Sequence, residues 1–158
     1  MQEHNRPVNA LPSMIITLAL IAGVAVFGTI ATVLEFPGVG QGDGTISVLM
    51  AGVGVTAFLL FLGIPTLVVS GQINQWKQEG KPIDEIRLTH MFQLKLILGL
   101  ALLEGGAFAN LVAYMIERNH WSLYIVGGLL MTMVAQFPTP SRIEDWVRHR
   151  KELLELEL

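Results

Sequence analysis

Apolar and polar residues fall in long blocks along this chain. Four runs are continuously apolar: 13–34, 46–69, 91–116 and 121–137. They lack the alternation of a membrane barrel, and backbone groups in lipid must find partners within their own segment, so each run reads as a helix. At 1.5 Å per residue the first three reach across ~30 Å of hydrocarbon, and the fourth, at 17 residues, is at the short end of the lengths that span. The pattern predicts an all-α membrane protein with four transmembrane helices in two antiparallel hairpins. Residues 1–12 form an N-terminal segment, 13–137 the four-helix domain, and 138–158 an amphipathic tail. The first run is too long for a signal-peptide core, and it ends in Glu35 and Pro37 with no small-residue cleavage site, so it is expected to be retained.

The polar connections differ in kind. "EFPGVGQGDG" (35–44) is a glycine-rich turn, "SGQINQWKQEGKP" (70–82) opens a polar loop reaching His90, and "ERNH" (117–120) is a tight turn. In the tail, Ser141 and Glu144 have capping-box spacing. Ile143, Trp146, Val147, Leu153 and Leu154 fall near one face, while Arg142, Arg148, Arg150 and Lys151 supply basic charge. That combination predicts a fifth, interfacial helix attracted to an anionic leaflet. It equally fits a solvated tail whose leucines pack on the bundle or on a partner.

Composition sharpens the membrane reading. The chain is 52% hydrophobic and 15% charged, with a mean hydropathy of +0.55, whereas soluble domains are about 25% charged. The net charge of −3 matters less than where charge lies. Arg6, Lys77, Lys81, Arg87, Arg142, Arg148, Arg150 and Lys151 share one side of a four-span layout, and Arg118 stands on the other. The positive-inside rule then places both termini in the cytoplasm, and the expected location is a bacterial inner (plasma) membrane. Trp76, Trp121 and Trp146 fall at the expected interfaces and read as anchors, with Arg148, Arg150 and Lys151 beside the last. Pro65 is expected to kink the second helix.

Catalytic and metal chemistry find little footing. There is no cysteine, and His4, His90, His120 and His149 are scattered without ligand spacing. No triad, nucleotide loop or nucleic-acid signature is present, and no cofactor is expected. Lys95 and Gln136 lie at similar depth on the third and fourth helices. The one residue that raises a chemical question is Glu104. It sits near the middle of the third run, where a charge costs roughly 2.5–3.5 kcal/mol on insertion scales, so the carboxyl is expected to rest protonated. Thr132 on the fourth helix lies at similar depth, and Asn110 almost two turns further along. Three roles fit: a reversible proton or cation site, hydrogen-bond glue between helices, or part of a partner interface. Gly105 and Gly106 follow at once. With Gly52, Gly54, Gly127 and Gly128 they indicate close helix packing, within one chain or between copies. A shift of 82 lays "ALIAGVAVFGTIATVLE" (19–35) over "ALLEGGAFANLVAYMIE" (101–117) with six identities in 17 positions, a faint parallel repeat.

The stretches "AGVGVTAFLLFLGIP" (51–65), "GKPIDEIRL" (80–88) and "LALLEGGAFANLVAYMI" (100–116) together resemble the proteolipid c subunit of rotary ATP synthases. That family has a glycine-rich helix, a polar cytoplasmic loop and a returning helix with a midplane carboxylate. The resemblance covers roughly Gly52 to Tyr114, with Asn110 where the family has a glycine. It implies that Glu104 takes and releases a proton or sodium ion within a ring of copies. The "ALLEG" and later "FP" segments also resemble bacterial four-helix membrane proteins of no assigned activity. Two expectations follow. One is a non-catalytic assembly or accessory subunit, whose partners are the lipid bilayer and either copies of itself or a larger membrane complex. The alternative is a c-subunit-like carrier at Glu104.

Overall fold

A computed structural model describes residues 10–34, 42–82 and 84–156. Arg6, His4 and residues 35–41 of the glycine-rich turn lie outside the described residues. The described chain is all-helical: α1 Leu11–Val33, α2 Thr45–Gln78, α3 Glu85–Glu117, α4 His120–Ala135 and α5 Pro140–Leu156. Three of these, α1 to α3, are long and apolar enough to cross a membrane. The number rises to four if α4 and α5, bent by 72° at Phe137–Thr139, count as one span.

The expected polar loop at 70–90 is mostly helix. α2 continues nine residues beyond Val69, and α3 begins six residues before Met91. The reason is an apolar stripe hidden among polar residues. Val69, Ile73 and Trp76 fall at helical spacing and pack in the same core as Leu88, Met91 and Phe92. The turn between them is well punctuated. Gly80 adopts a positive φ of 63°, Gly80 N–H donates to Lys77 and Lys81 N–H donates to Trp76, which closes α2 as a Schellman motif. Asp84 then caps α3 by accepting from the Arg87 amide at 2.8 Å. α2 runs unbroken through Pro65.

α3 is the hub, packing on α1, α2, α4 and α5. The expected first hairpin is not a packed pair: among the described residues α1 and α2 do not touch, and α3 lies between them. α1 runs parallel to α3, with both C-termini at one end of the bundle, where Arg118 bonds the carbonyls of Ala31 and Leu34. Phe27 and Phe108 meet edge to face at 5.3 Å along this contact.

Burial on α1 and α2 is inverted relative to a water-soluble bundle. α1 buries only Ser13, Thr17, Val24 and Ala31, while Leu11, Ile15, Leu18, Val26 and Val33 point outward. Up to Leu67, α2 likewise buries Ser47, Gly54, Ala57 and Pro65 and exposes Val48, Leu49, Val55, Leu59 and Leu67, and large apolar residues, Val69 and Ile73, are buried only beyond it. Small and hydroxyl residues inside with large apolar ones outside is how helices pack when the solvent is itself apolar. These helices are compatible with a membrane location.

α5 starts at Pro140, so Ser141 lies inside the helix and the expected capping box is not formed. Thr139 precedes it, its carbonyl accepting from Ile143 N–H. Proline suits the first helical position because its missing N–H had no partner there. Ile143 and Val147 are buried against the bundle, Trp146 and Leu154 are half-buried, and Leu153 turns outward.

Candidate functional site

Glu104 sits on the face of α3 that meets α1. A Cβ built on Gly23 would lie 3.8 Å from its Oε1, an ordinary contact distance that puts the carboxyl beside α1. The residue is half-buried, and among the described residues no hydrogen bond or ion pair reaches it.

The neighbours considered from sequence are engaged elsewhere. Thr132 Oγ1 donates to the Gly128 carbonyl of its own helix at 2.9 Å. Asn110, fully buried, donates through Nδ2 to Met50 O of α2 at 2.8 Å and to Gly106 O at 2.9 Å, and among the described residues its Oδ1 has no partner. Asn110 thus ties α2 to α3, and Glu104 stands apart from both residues.

The glycines divide by direction. Gly54 and Gly106 sit where helices meet. A Cβ on Gly54 would lie 2.7 Å from Asn110 Nδ2, and one on Gly106 would lie 2.9 Å from the Ala57 methyl. Gly52, Gly105, Gly127 and Gly128 face open space.

Sequence reasoning passed over the "ERNH" turn, and the structure makes it a clasp. Glu117, at the end of α3, accepts from Ile46 N–H at 2.9 Å and from Ser47 N–H at 2.7 Å, capping the N-terminus of α2. Arg118 reaches the other way, donating to Ala31 O at 3.0 Å and to Leu34 O, so it closes the C-terminus of α1. Asn119 accepts from Trp121 N–H at 3.1 Å and caps α4. Each sign matches its helix end, with the carboxylate at a positive N-terminus and the guanidinium at a negative C-terminus. Gly42 is needed here, because a Cβ would fall 2.5 Å from Glu117 Cγ. The legible signal was an acid, a base and an amide in a row between two apolar runs. A shallow polar cavity of about 460 Å³ opens beside the clasp, lined by Asp43, Glu117, Arg118 and His120. No group of three or more metal-ligating side chains assembles among the described residues.

The three tryptophans do not behave alike. Trp121 is 72% exposed and leans on Tyr124, itself 71% exposed. Trp76 is half-buried under the Arg87 guanidinium. Trp146 packs edge to face on Phe92 at 5.6 Å and carries Arg150 over its ring. Of the remaining tail cations, Arg148 pairs with Asp145 and Lys151 with Glu85. Lys95 and Gln136 line one cavity of about 280 Å³ between α2, α3 and α5.

Comparisons with protein-family models, curated proteins and solved structures found no match.

Proposed function

We propose that the chain is a small multi-pass protein of the bacterial inner membrane. In this reading it has four spans, the fourth being the short α4 with its flanking residues, both termini are cytoplasmic, and α5 lies along the cytoplasmic interface. Its role is non-catalytic, as an assembly or accessory subunit that packs with copies of itself or within a larger membrane complex. The topology draws on the positive-inside rule: Lys77, Lys81, Arg87 and the α5 cations gather at one end, and Arg118 stands at the other. The 72° bend between α4 and α5 agrees with an interfacial last helix.

The observation that carries the assembly role is the outward direction of Gly52, Gly105, Gly127 and Gly128. A glycine turned to lipid packs nothing, but it lets a second helix approach closely. The test is self-association of the full chain in detergent and in lipid nanodiscs, by cross-linking and mass measurement. Assembly of the native chain, weakened by Gly127→Leu with helicity unchanged, is expected. A protein that stays monomeric and partner-free in native membranes would overturn the proposal.

A second reading has its own support, the unpartnered carboxyl of Glu104 in mid-helix. A c-subunit-like carrier would lose proton- or sodium-linked function on Glu104→Gln and would react with dicyclohexylcarbodiimide at that residue, with protection by sodium. An assembly role leaves Glu104→Gln nearly silent, since the amide keeps both a donor and an acceptor.

A further inference from the structure

We propose that the cavity between α2, α3 and α5 is a binding site for the phosphate of an anionic phospholipid, with Lys95 and Arg142 as its ligands. The cavity holds about 280 Å³ and brings Lys95 of α3, Gln136 at the end of α4 and Arg142 of α5 to one place. Lys95 and Arg142 line it together, and among the described residues no acidic side chain does. Among the described residues nothing accepts a hydrogen bond from Lys95.

Like charges have been gathered where burial is already costly. Lys95 is half-buried one residue from the fully packed Leu96 side of α3. A phosphate resolves the repulsion and accepts from an ammonium, a guanidinium and an amide together. Arg142 already donates to Ala135 O at 2.7 Å, which fixes its guanidinium at the cavity rim and leaves other N–H groups available.

The walls choose between a free phosphate and a lipid. Phe61, Leu62, Pro65 and Leu100 line the same space, and Leu62 is 58% exposed on the outer face of α2. A polar floor opening onto an apolar outer surface fits a headgroup whose acyl chains run down that surface. Basic pockets between helices at the cytoplasmic face suit anionic headgroups in this way. The site rests on the lipid-embedded reading of the chain and is independent of what Glu104 does.

The experiment uses the full-length protein in non-ionic detergent. Native mass spectrometry after equilibration with equimolar phosphatidylglycerol and phosphatidylcholine should retain one phosphatidylglycerol preferentially. In thermal melts, phosphatidylglycerol should raise the apparent Tm by about 5 °C, with no comparable rise from phosphatidylcholine or from inorganic phosphate. Lys95→Met should weaken phosphatidylglycerol retention roughly five- to tenfold while melting no lower than the native chain without lipid. Lys95→Arg should restore retention. Arg148→Gln removes the same charge outside the cavity and should leave retention unchanged. Equal retention of the two lipids, or equal losses from Lys95→Met and Arg148→Gln, would overturn the site. Stabilisation by inorganic phosphate alone would overturn its assignment to a lipid. A chain that proves soluble without detergent would instead refute the membrane reading beneath it.

Discussion

Gly105 and Gly106 are adjacent and chemically identical, yet alanine should act oppositely at the two. A Cβ at Gly106 would meet the Ala57 methyl at 2.9 Å, the Gly54 Cα at 3.4 Å and Leu129 Cδ1 at 3.4 Å. Carbon atoms pack at about 3.5–4.0 Å, so the methyl contact is short by roughly 0.6–1.1 Å against that spacing. A flexible side-chain tip could yield, but the nearest obstacles are a methyl fixed to a helix and a backbone carbon. α2 and α3 must therefore move apart, and overpacking of this kind costs about 1–3 kcal/mol. A Cβ at Gly105 would meet nothing within 4 Å, so only the propensity gain of about 0.5–1 kcal/mol remains there. That gain is common to both positions. The gap between the two variants is thus the overpacking alone, about 1–3 kcal/mol. Unfolding by a denaturing detergent under dilute, monomeric conditions, followed by fluorescence of Trp76 and Trp146, measures it. Gly105→Ala should shift the midpoint up and Gly106→Ala down. Equal midpoints would show that α2 and α3 do not approach as closely as Gly54 and Gly106 allow.

Other consequences are as direct. Arg118→Ala should destabilise by about 1–3 kcal/mol through loss of charged hydrogen bonds to the end of α1. Arg118→Gly should be milder, because Arg118 has a φ of 54°, a conformation glycine adopts freely; the order of the two midpoints is the check. Asn110→Ala should cost under about 1 kcal/mol, since two lost donations are offset by removing the unpartnered Oδ1; a larger loss would mean that Oδ1 has a partner such as water. The Thr45 hydroxyl and amide hold the Asp43 carboxyl below its ordinary range. A carboxyl depressed on folding stabilises above its unfolded pKa and loses that contribution as pH falls through the folded one. Exchange of the Thr45 amide, which donates to Asp43, should therefore quicken below about pH 4, and not in Asp43→Asn.

The helical class was legible in the apolar runs because lipid permits so few alternatives. The ends of the helices were not. Val69, Ile73 and Trp76 are diluted by serine, glycine, glutamine and asparagine, so averaged hydropathy falls while the one-sided stripe that extends α2 persists. The neighbour relations were hidden for another reason. Successive apolar runs suggest packed hairpins, but nothing in α1 or α2 alone says that α3 separates them. Glu104 was visible as an anomaly, since one acid in an apolar run needs a reason. Glu117, Arg118 and Asn119 were overlooked because a charged turn between spans looks ordinary. Only the arrival of three helix ends at that turn gives each residue its task.

α3 carries two ionisable groups within its apolar stretch, and geometry forbids them from serving each other. Lys95 and Glu104 are nine residues apart, two and a half turns and ~13 Å along the axis, so they leave the helix on opposite faces. Glu104 looks toward Gly23 of α1, and Lys95 looks into the cavity with Arg142. At an effective dielectric near 20, opposite charges that far apart attract by only ~1 kcal/mol, less than the roughly 2.5–3.5 kcal/mol that burying either can cost. Each must be satisfied by what its own face meets, a slot beside a glycine in one case and an anion in the other. The double variant Lys95→Met, Glu104→Gln should then change unfolding free energy by the sum of the single changes, within about 0.5 kcal/mol. Phosphatidylglycerol retention should respond to Lys95→Met alone. A coupling above about 1 kcal/mol would mean that the two groups act as a pair through the bundle, and both sites would have to be reread as one.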